Sequence, residues 1–361
     1  MKTVTANSKK EKKNYLKFRR TIYKNSQYID NNYFMIEEIF SNKLSFTKKI
    51  DIYPVNIKDD DDNILCQGII AYASKLPECV QLCFFEALPD NEEAVEMLIE
   101  ECERIGRIKN AEKIVIGLCG HVNYGLGIQC SHYGEINTFS SPANEKYYND
   151  YFKKYNCEEV YLNSYFINEI DQRLDRYKAI IGKIEKNYEF RTFDKKQFDY
   201  YSKIYTDLNN VCFTEHRYYY ERDYEDDREM LKELFLFMKE DSLIFAFKDN
   251  VPVAFVMWYP DFNELASKGE VFGTKHFFIN KFRNKKIKTA KVMEFGVIEE
   301  YKKVGLPLAL LHQIFEKLKN YGCTKVDTSW ILRENTDSNS ICAAVCDGLS
   351  KEYVVYEKTI G

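Results

Sequence analysis

The chain has 361 residues, and its 52 Lys or Arg against 56 Asp or Glu leave a formal net charge of −4, which excludes a general nucleic-acid binder, because that role needs a basic face. No apolar run approaches the roughly 18 residues that mark a membrane span. Apolar residues make up 45% of the chain, enough for the cores of two domains of ordinary size, and the 11 irregularly spaced cysteines read as reduced thiols of a cytoplasmic protein.

The first 24 residues carry nine Lys or Arg with no apolar stretch after them, so residues 1–24 are expected to form a mobile basic tail and not a secretion signal. A short helix follows at 30–41, then strands at 45–55, 64–74 and 80–88, with the acidic run 59–62 as a solvated hairpin loop. Residues 91–108 read as a helix with Ala94, Met97, Leu98 and Cys102 on its apolar face. A strand at 113–119 runs into the glycine-rich loop GLCGHVNYGLG (117–127), followed by a helix at 142–155 and a strand at 159–167. The charged stretch 171–186 reads as a helical linker.

The second half repeats that order: strand 188–193, helices 195–211 and 226–239, strands 243–248 and 252–259, and an irregular insertion at 261–289. Then comes AKVMEFGVIEEYKKVGLPLALLHQIFEKLKNY (290–321), a buried strand, a turn containing Gly305 and an amphipathic helix. A strand at 323–332, a helix at 338–346 and a strand at 352–359 close the chain. The alternation predicts a mixed sheet with helices on both faces. It divides the chain into a first domain at 25–170, a linker at 171–187 and a second domain at 188–361.

The turn at 302–308 resembles motif A of the GNAT family of acyl-CoA N-acyltransferases, which runs Val, four residues, Arg or Gln, two residues, Gly, one residue, Gly or Ala. Here the corresponding residues are Val297, Lys302, Gly305 and Pro307. The blocks FRRTIYKNSQYID (18–30), CFFEALPDNEEA (83–94), SWILREN (329–335) and YVVYEK (353–358) are similar, in this order, to those of bacterial tandem-GNAT proteins of unassigned function. The resemblance implies two tandem GNAT-like α/β domains and an acetyl-CoA or related acyl-CoA co-substrate. The acceptor it implies is an amine of a small molecule or peptide, with no nucleic acid or membrane partner; the oligomeric state stays open. It also implies a cradle of Val297, Ile298, Lys302, Lys303, Val304, Gly305, Leu306, Pro307 and Leu308, with Asn335 beside it. Lys302 replaces a planar fork with a point charge, and Pro307 removes one N–H donor.

The acid Tyr that GNAT enzymes place seven residues after an Asn is Cys342 when counted from Asn335. Glu294, the acidic residue of the strand before the turn, is the candidate base. His121, Asn123, His216 and Tyr218 are candidate substrate-binding residues, from the glycine-rich loop and from the segment after the first helix of the second half. The basic run at 281–291 is a candidate for the CoA 3′-phosphate. In the first half, the turn 87–93 carries three carboxylates, which would repel a pyrophosphate, although Asn144 and Tyr151 keep the Asn-plus-seven spacing. The CxH pairs Cys119/His121 and Cys130/His132 are too tightly spaced for a zinc site, and no metal is expected. The alternative reading is a catalytically silent CoA- or metabolite-binding protein. A third, an aminoacyl-tRNA-dependent transferase of cell-wall synthesis, is disfavoured by the acidic balance and the lack of a coiled-coil arm.

Overall fold

The computed structural model describes residues 1–283 and 286–361, and the side chains of all of these except residues 279–283. The first half contains strands β1 (Lys2–Thr5), β2 (Ile50–Lys58), β3 (Ile64–Ala73), β4 (Cys79–Ala87), β5 (Lys113–Ile116), β6 (Ile128–Gln129) and β7 (Glu158–Ile167). Its helices are α1 (Lys9–Lys24), α2 (Tyr33–Phe40), α3 (Glu92–Lys109) and α4 (Tyr147–Phe152), and α5 (Lys178–Glu185) leads into the second half. There β8 (Glu189–Thr192), α6 (Phe198–Cys212), α7 (Tyr224–Leu234), β9 (Leu243–Lys248), β10 (Val251–Pro260), α8 (Thr274–Arg283) and β11 (Thr289–Val297) follow. The chain ends through α9 (Glu299–Lys302), α10 (Leu306–Tyr321), β12 (Lys325–Thr328), β13 (Ile331–Leu332), α11 (Thr336–Val345) and β14 (Gly348–Thr359).

These strands join in one sheet of order β1-β2-β3-β4-β5-β14-β7-β12-β11-β10-β9-β8, with β13 on β7 and β6 on β14. Two strands cross the division expected from the sequence. β14, the last strand of the chain, lies between β5 and β7 of the first half, pairing Tyr356 with Ile116 on one edge and with Glu159 on the other. β7 in turn reaches the second half, where Ile167 pairs with Val326 of β12. Each half is therefore completed by a strand of the other. The YVVY run at 353–356 is fully buried, as a strand covered on both faces must be.

Residues 1–24 are not a mobile tail. β1 pairs antiparallel with β2, and Ser8 caps α1 by accepting from the Glu11 N–H (3.2 Å). α1 buries Tyr15, Arg19 and Tyr23, one face at a spacing of four, while its lysines stay on the solvent side. The lysine-rich composition concealed that face. The linker is likewise a core element, because Ile181 and Ile184 pack with α10 residues Leu306, Leu310 and Ile314. Burying such side chains stabilises by roughly 1.5–3 kcal/mol each. The expected helix at 142–155 is confined to α4, and the insertion at 261–289 contains α8. Part of the basic run at 281–291 lies outside the described residues. Lys291 itself does not reach a surface phosphate: it is fully buried, donating to Phe139 O (3.0 Å) and Ser141 Oγ (2.8 Å).

Candidate active site

β11 stays paired with β10 as far as Val297, but on its other edge it pairs with β12 only from Thr289 to Val292. A register shift opposite Met293 marks a bulge, which bends the strand and increases its twist. Beyond Val292 the two parallel strands splay, and among the described residues 293–297 have no strand partner on that side. The opening is a cavity of about 420 Å³. Its walls come from β11 (Met293, Glu294, Phe295), α10 (Leu311, Phe315), α11 (Ile341, Cys342, Val345) and the break between β12 and β13 (Ser329, Trp330). The first half contributes Val122 and Asn123, and the segment after α6 contributes Phe213, Glu215, His216 and Tyr219.

Six residues singled out in the sequence meet in this cavity: Glu294, Cys342, Lys302, Asn335, Asn123 and His216. Burial pushes the Glu294 carboxyl up to about 7, against the hydrogen bond donated by the Tyr205 hydroxyl. The buried ion pair between Arg222 and Asp227 lies close enough to act on it, Asp227 raising and Arg222 lowering its pKa. Cys342 and Cys346 stand one helical turn apart, and a hydrogen bond from Cys346 lowers the Cys342 thiol. Asn335 caps α11, its Oδ1 accepting from the Ser338 N–H (3.1 Å).

The other predicted residues lie off the cavity wall. His121 is buried behind it, with Nε2 at 3.0 Å from Tyr220 O and Nδ1 accepting from the Asn123 N–H (3.2 Å), so it positions the loop. Tyr218 turns away because its hydroxyl donates to Glu357 of β14 (2.7 Å), a carboxylate also paired with Arg217 and Lys113. Val297 packs in the core, and the Ile298 N–H donates to Val253 O (3.0 Å). At the turn, Lys303 and Val304 are exposed, Leu306 and Pro307 are buried, and the Leu308 N–H bonds to Gly305 O (3.0 Å). Gly305 caps α10 at φ +84°, and a Cβ there would meet Ile184 Cδ1 at 2.7 Å, so only glycine suits the position. Lys302 pairs with Glu299 (2.5 Å).

Sequence reasoning missed Tyr205, Trp330 and the Arg222–Asp227 pair. Tyr205 lies 89 residues before Glu294, and its place in the Tyr201–Tyr205–Leu208 face of α6 signals only a buried helix.

The first half has a matching splay. β4 pairs parallel with β5 from Cys79 to Leu82, a register shift opposite Gly68 bulges it, and Phe84 adopts φ +49°. Here the space shrinks to about 90 Å³. Arg19 enters from α1, donating to Glu86 (2.5 Å) and to both oxygens of Asp30 (2.8 and 2.9 Å). Tyrosines of α4 occupy the strand edge. Tyr148 accepts from the Ala87 N–H (3.1 Å) and donates to Glu86 (2.7 Å), Tyr147 donates to Ala87 O (2.7 Å), and Tyr151 donates to Leu88 O. Burial pushes the Glu86 carboxyl up to about 7 against the pull of Arg19.

A strand–bulge–helix cleft repeated in two halves of one continuous sheet is the tandem GNAT fold. Residues 201–342, all within the second half, match the model of the Acetyltransferase (GNAT) family. A tandem GNAT protein from the clavulanic acid biosynthesis pathway superposes over 100% of this chain and 98% of its own, with a TM-score of 0.59 at 11% identity. A GCN5-related glucosamine N-acetyltransferase region of a fungal multi-domain GH3 beta-N-acetylglucosaminidase covers 99% of this chain and 38% of its own, with a TM-score of 0.58 at 12% identity. These likenesses are of fold. In sequence, Protein YghO of Escherichia coli (strain K12) is 26% identical over an alignment of 201 residues that covers 51% of this chain and 49% of that protein. The chain thus spans about half the length of this curated relative. Among the described residues no helix is long and apolar enough to cross a membrane.

Proposed function

We propose that the protein is an acyl-CoA-dependent N-acyltransferase that moves an acetyl or related acyl group from CoA to an amine of a small molecule or peptide in the cytoplasm. The observation that carries this reading is the cavity in the β11–β12 splay, with a carboxyl of pKa about 7 in its wall. The co-substrate fits the second half by its chemistry. The unpaired edge at 293–297 offers backbone groups to the pantetheine amides, and the N-terminal turn of α10 offers N–H groups and the positive end of a helix dipole to the pyrophosphate. Lys302 and Lys303 add charge where Pro307 withholds a donor. Val304, Gly305, Leu306 and Leu308 shape the turn, Val297 and Ile298 hold the strand in place, and Asn335 anchors α11 beside it.

In the reaction, Glu294 takes a proton from the acceptor amine, and the nitrogen attacks the thioester carbonyl. The C–S bond breaks, and the departing thiolate takes a proton from the Cys342 thiol. A general base near neutral pKa is well matched to this task and contributes on the order of 10²–10⁴-fold. Cys346 assists by its hydrogen bond, which stabilises the Cys342 thiolate left behind. The rival reading, a silent CoA-binding protein, draws support from Pro307 and from a thiol in the place of the usual Tyr.

Thermal unfolding with acetyl-CoA, followed by mass spectrometry over a panel of amines, tests the proposal. Ligand at about a hundred times its Kd stabilises by ~2.7 kcal/mol. The shift is expected to disappear in Gly305→Glu and to require more ligand in the Lys302→Ala/Lys303→Ala double variant, which removes one half-buried and one exposed lysine and no core contact. Binding without transfer to any amine supports the silent reading. No shift with any CoA thioester removes both.

A further inference from the structure

Two residues that line the cavity each carry a buried polar atom with no hydrogen-bond partner among the described residues: Asn123 Nδ2 and His216 Nε2. Both are donors. The Tyr218 N–H donates to His216 Nδ1 (3.3 Å), so Nδ1 is the accepting nitrogen and the proton sits on Nε2. Burial pushes the imidazole down to about 4, so the ring is neutral at physiological pH. The Asn123 loop is held by His121, whose Nδ1 accepts the Asn123 N–H, and by Nε2 of that ring at Tyr220 O.

A buried donor left unpaired is costly, and two of them in one cavity wall need an acceptor from outside the chain. The charges around them decide which kind. Glu215, Glu294 and Glu334 line the cavity with Lys302, and Lys302 is already paired with Glu299. That field attracts a protonated amine and repels a carboxylate. Phe213, Tyr219 and Trp330 form an apolar, aromatic wall around the same groups.

Building on the acyltransferase reading, we infer that the acceptor is an amino-acid amide or a peptide N-terminus with a large apolar side chain. Its neutral carbonyl oxygen accepts from Asn123 Nδ2 and His216 Nε2 while its amine faces Glu294. A site built to hydrogen-bond one substrate group discriminates strongly against analogues that lack it.

Calorimetric binding of three matched probes to the full chain tests this: phenylalaninamide, phenethylamine, which lacks the carbonyl, and phenylalanine, which carries a carboxylate. Phenylalaninamide is expected to bind at least about tenfold more tightly than either of the others, as one lost charge-neutral hydrogen bond requires. The preference is expected to vanish in Asn123→Leu and His216→Phe and to return in part in His216→Gln, whose amide supplies a donor. Circular dichroism melts establish that each variant is folded. Equal binding of the amide and the plain amine, tighter binding of phenylalanine, a preference that survives both variants, or no binding of any probe overturns the inference. Because binding is read without turnover, a protein that prefers the amide but transfers no acyl group refutes the acyltransferase reading alone.

Discussion

The two splayed strand pairs begin alike and are finished differently. Each has a parallel pair that separates after four residues, a bulge on the inner strand and a buried carboxyl near pKa 7. In the first half, tyrosine hydroxyls take the backbone groups of the free edge, and Arg19 neutralises Glu86 and Asp30. In the second half the edge stays open, Glu294 has one tyrosine as its direct partner, and about 420 Å³ remains. The same backbone device thus serves as a core in one place and a cleft in the other. What separates them is whether side chains of the chain itself satisfy the polar groups that the splay exposes.

The comparison can be broken most severely at Glu294. Gln in its place keeps an acceptor for Tyr205, so the fold survives while the base is lost. Turnover is expected to fall about 10²–10⁴-fold in steady-state kinetics with an unchanged acetyl-CoA-induced melting shift. Equal activity of Glu294→Gln and wild type would show that the open cleft is not distinguished by its carboxyl.

Next in size is Arg19→Ala. It leaves Glu86 and Asp30 buried without their cation and is expected to cost roughly 3–5 kcal/mol in denaturant unfolding. A change under about 1 kcal/mol would mean that the first cleft is no ion-paired core. Tyr148→Phe strips a donor from Glu86 and an acceptor from the Ala87 N–H, for an expected loss of about 1–3 kcal/mol.

The smallest effects are in pH dependence. Catalysis needs the Glu294 carboxylate, so kcat/KM is expected to rise with pH through about 7. The Tyr205 hydrogen bond lowers that pKa, so Tyr205→Phe is expected to move the midpoint upward; a downward move would contradict the role assigned to it. Stability runs the other way. The folded Glu294 holds its proton to higher pH than the unfolded one, so folding loses stability as pH climbs from the ordinary carboxylate range to about 7. Glu294→Gln removes that loss.

Periodicity alone revealed the α10 face of Leu306, Leu310, Ile314 and Leu318 and the buried runs of β3, β4 and β10, because local spacing reports which side chains must leave water. Motif spacing marked Glu294, Gly305, Asn335 and Cys342, all within some fifty residues of chain. The sequence also placed a polar patch at Asn123 and His216, yet could not tell them from His121 and Tyr218 beside them. Those two are turned away by partners at Tyr220 and Glu357, which lie 99 and 139 residues distant. The helix in the lysine-rich start escaped notice because composition outweighed a three-residue face.

By itself, the sequence determined the kinds and order of most elements after residue 24, the strand–turn–helix with its glycine, and the acidic and thiol groups near it. These follow from local propensity and short-range spacing. Only the tertiary structure decided that β7 and β14 exchange halves, that α1 delivers Arg19 into one splay, and that the other stays open. These depend on pairing between distant segments, Arg19 with Glu86 across 67 residues and β7 with β12 and β14 across more than a hundred, where long-range packing chooses among alternatives that local chemistry leaves equal.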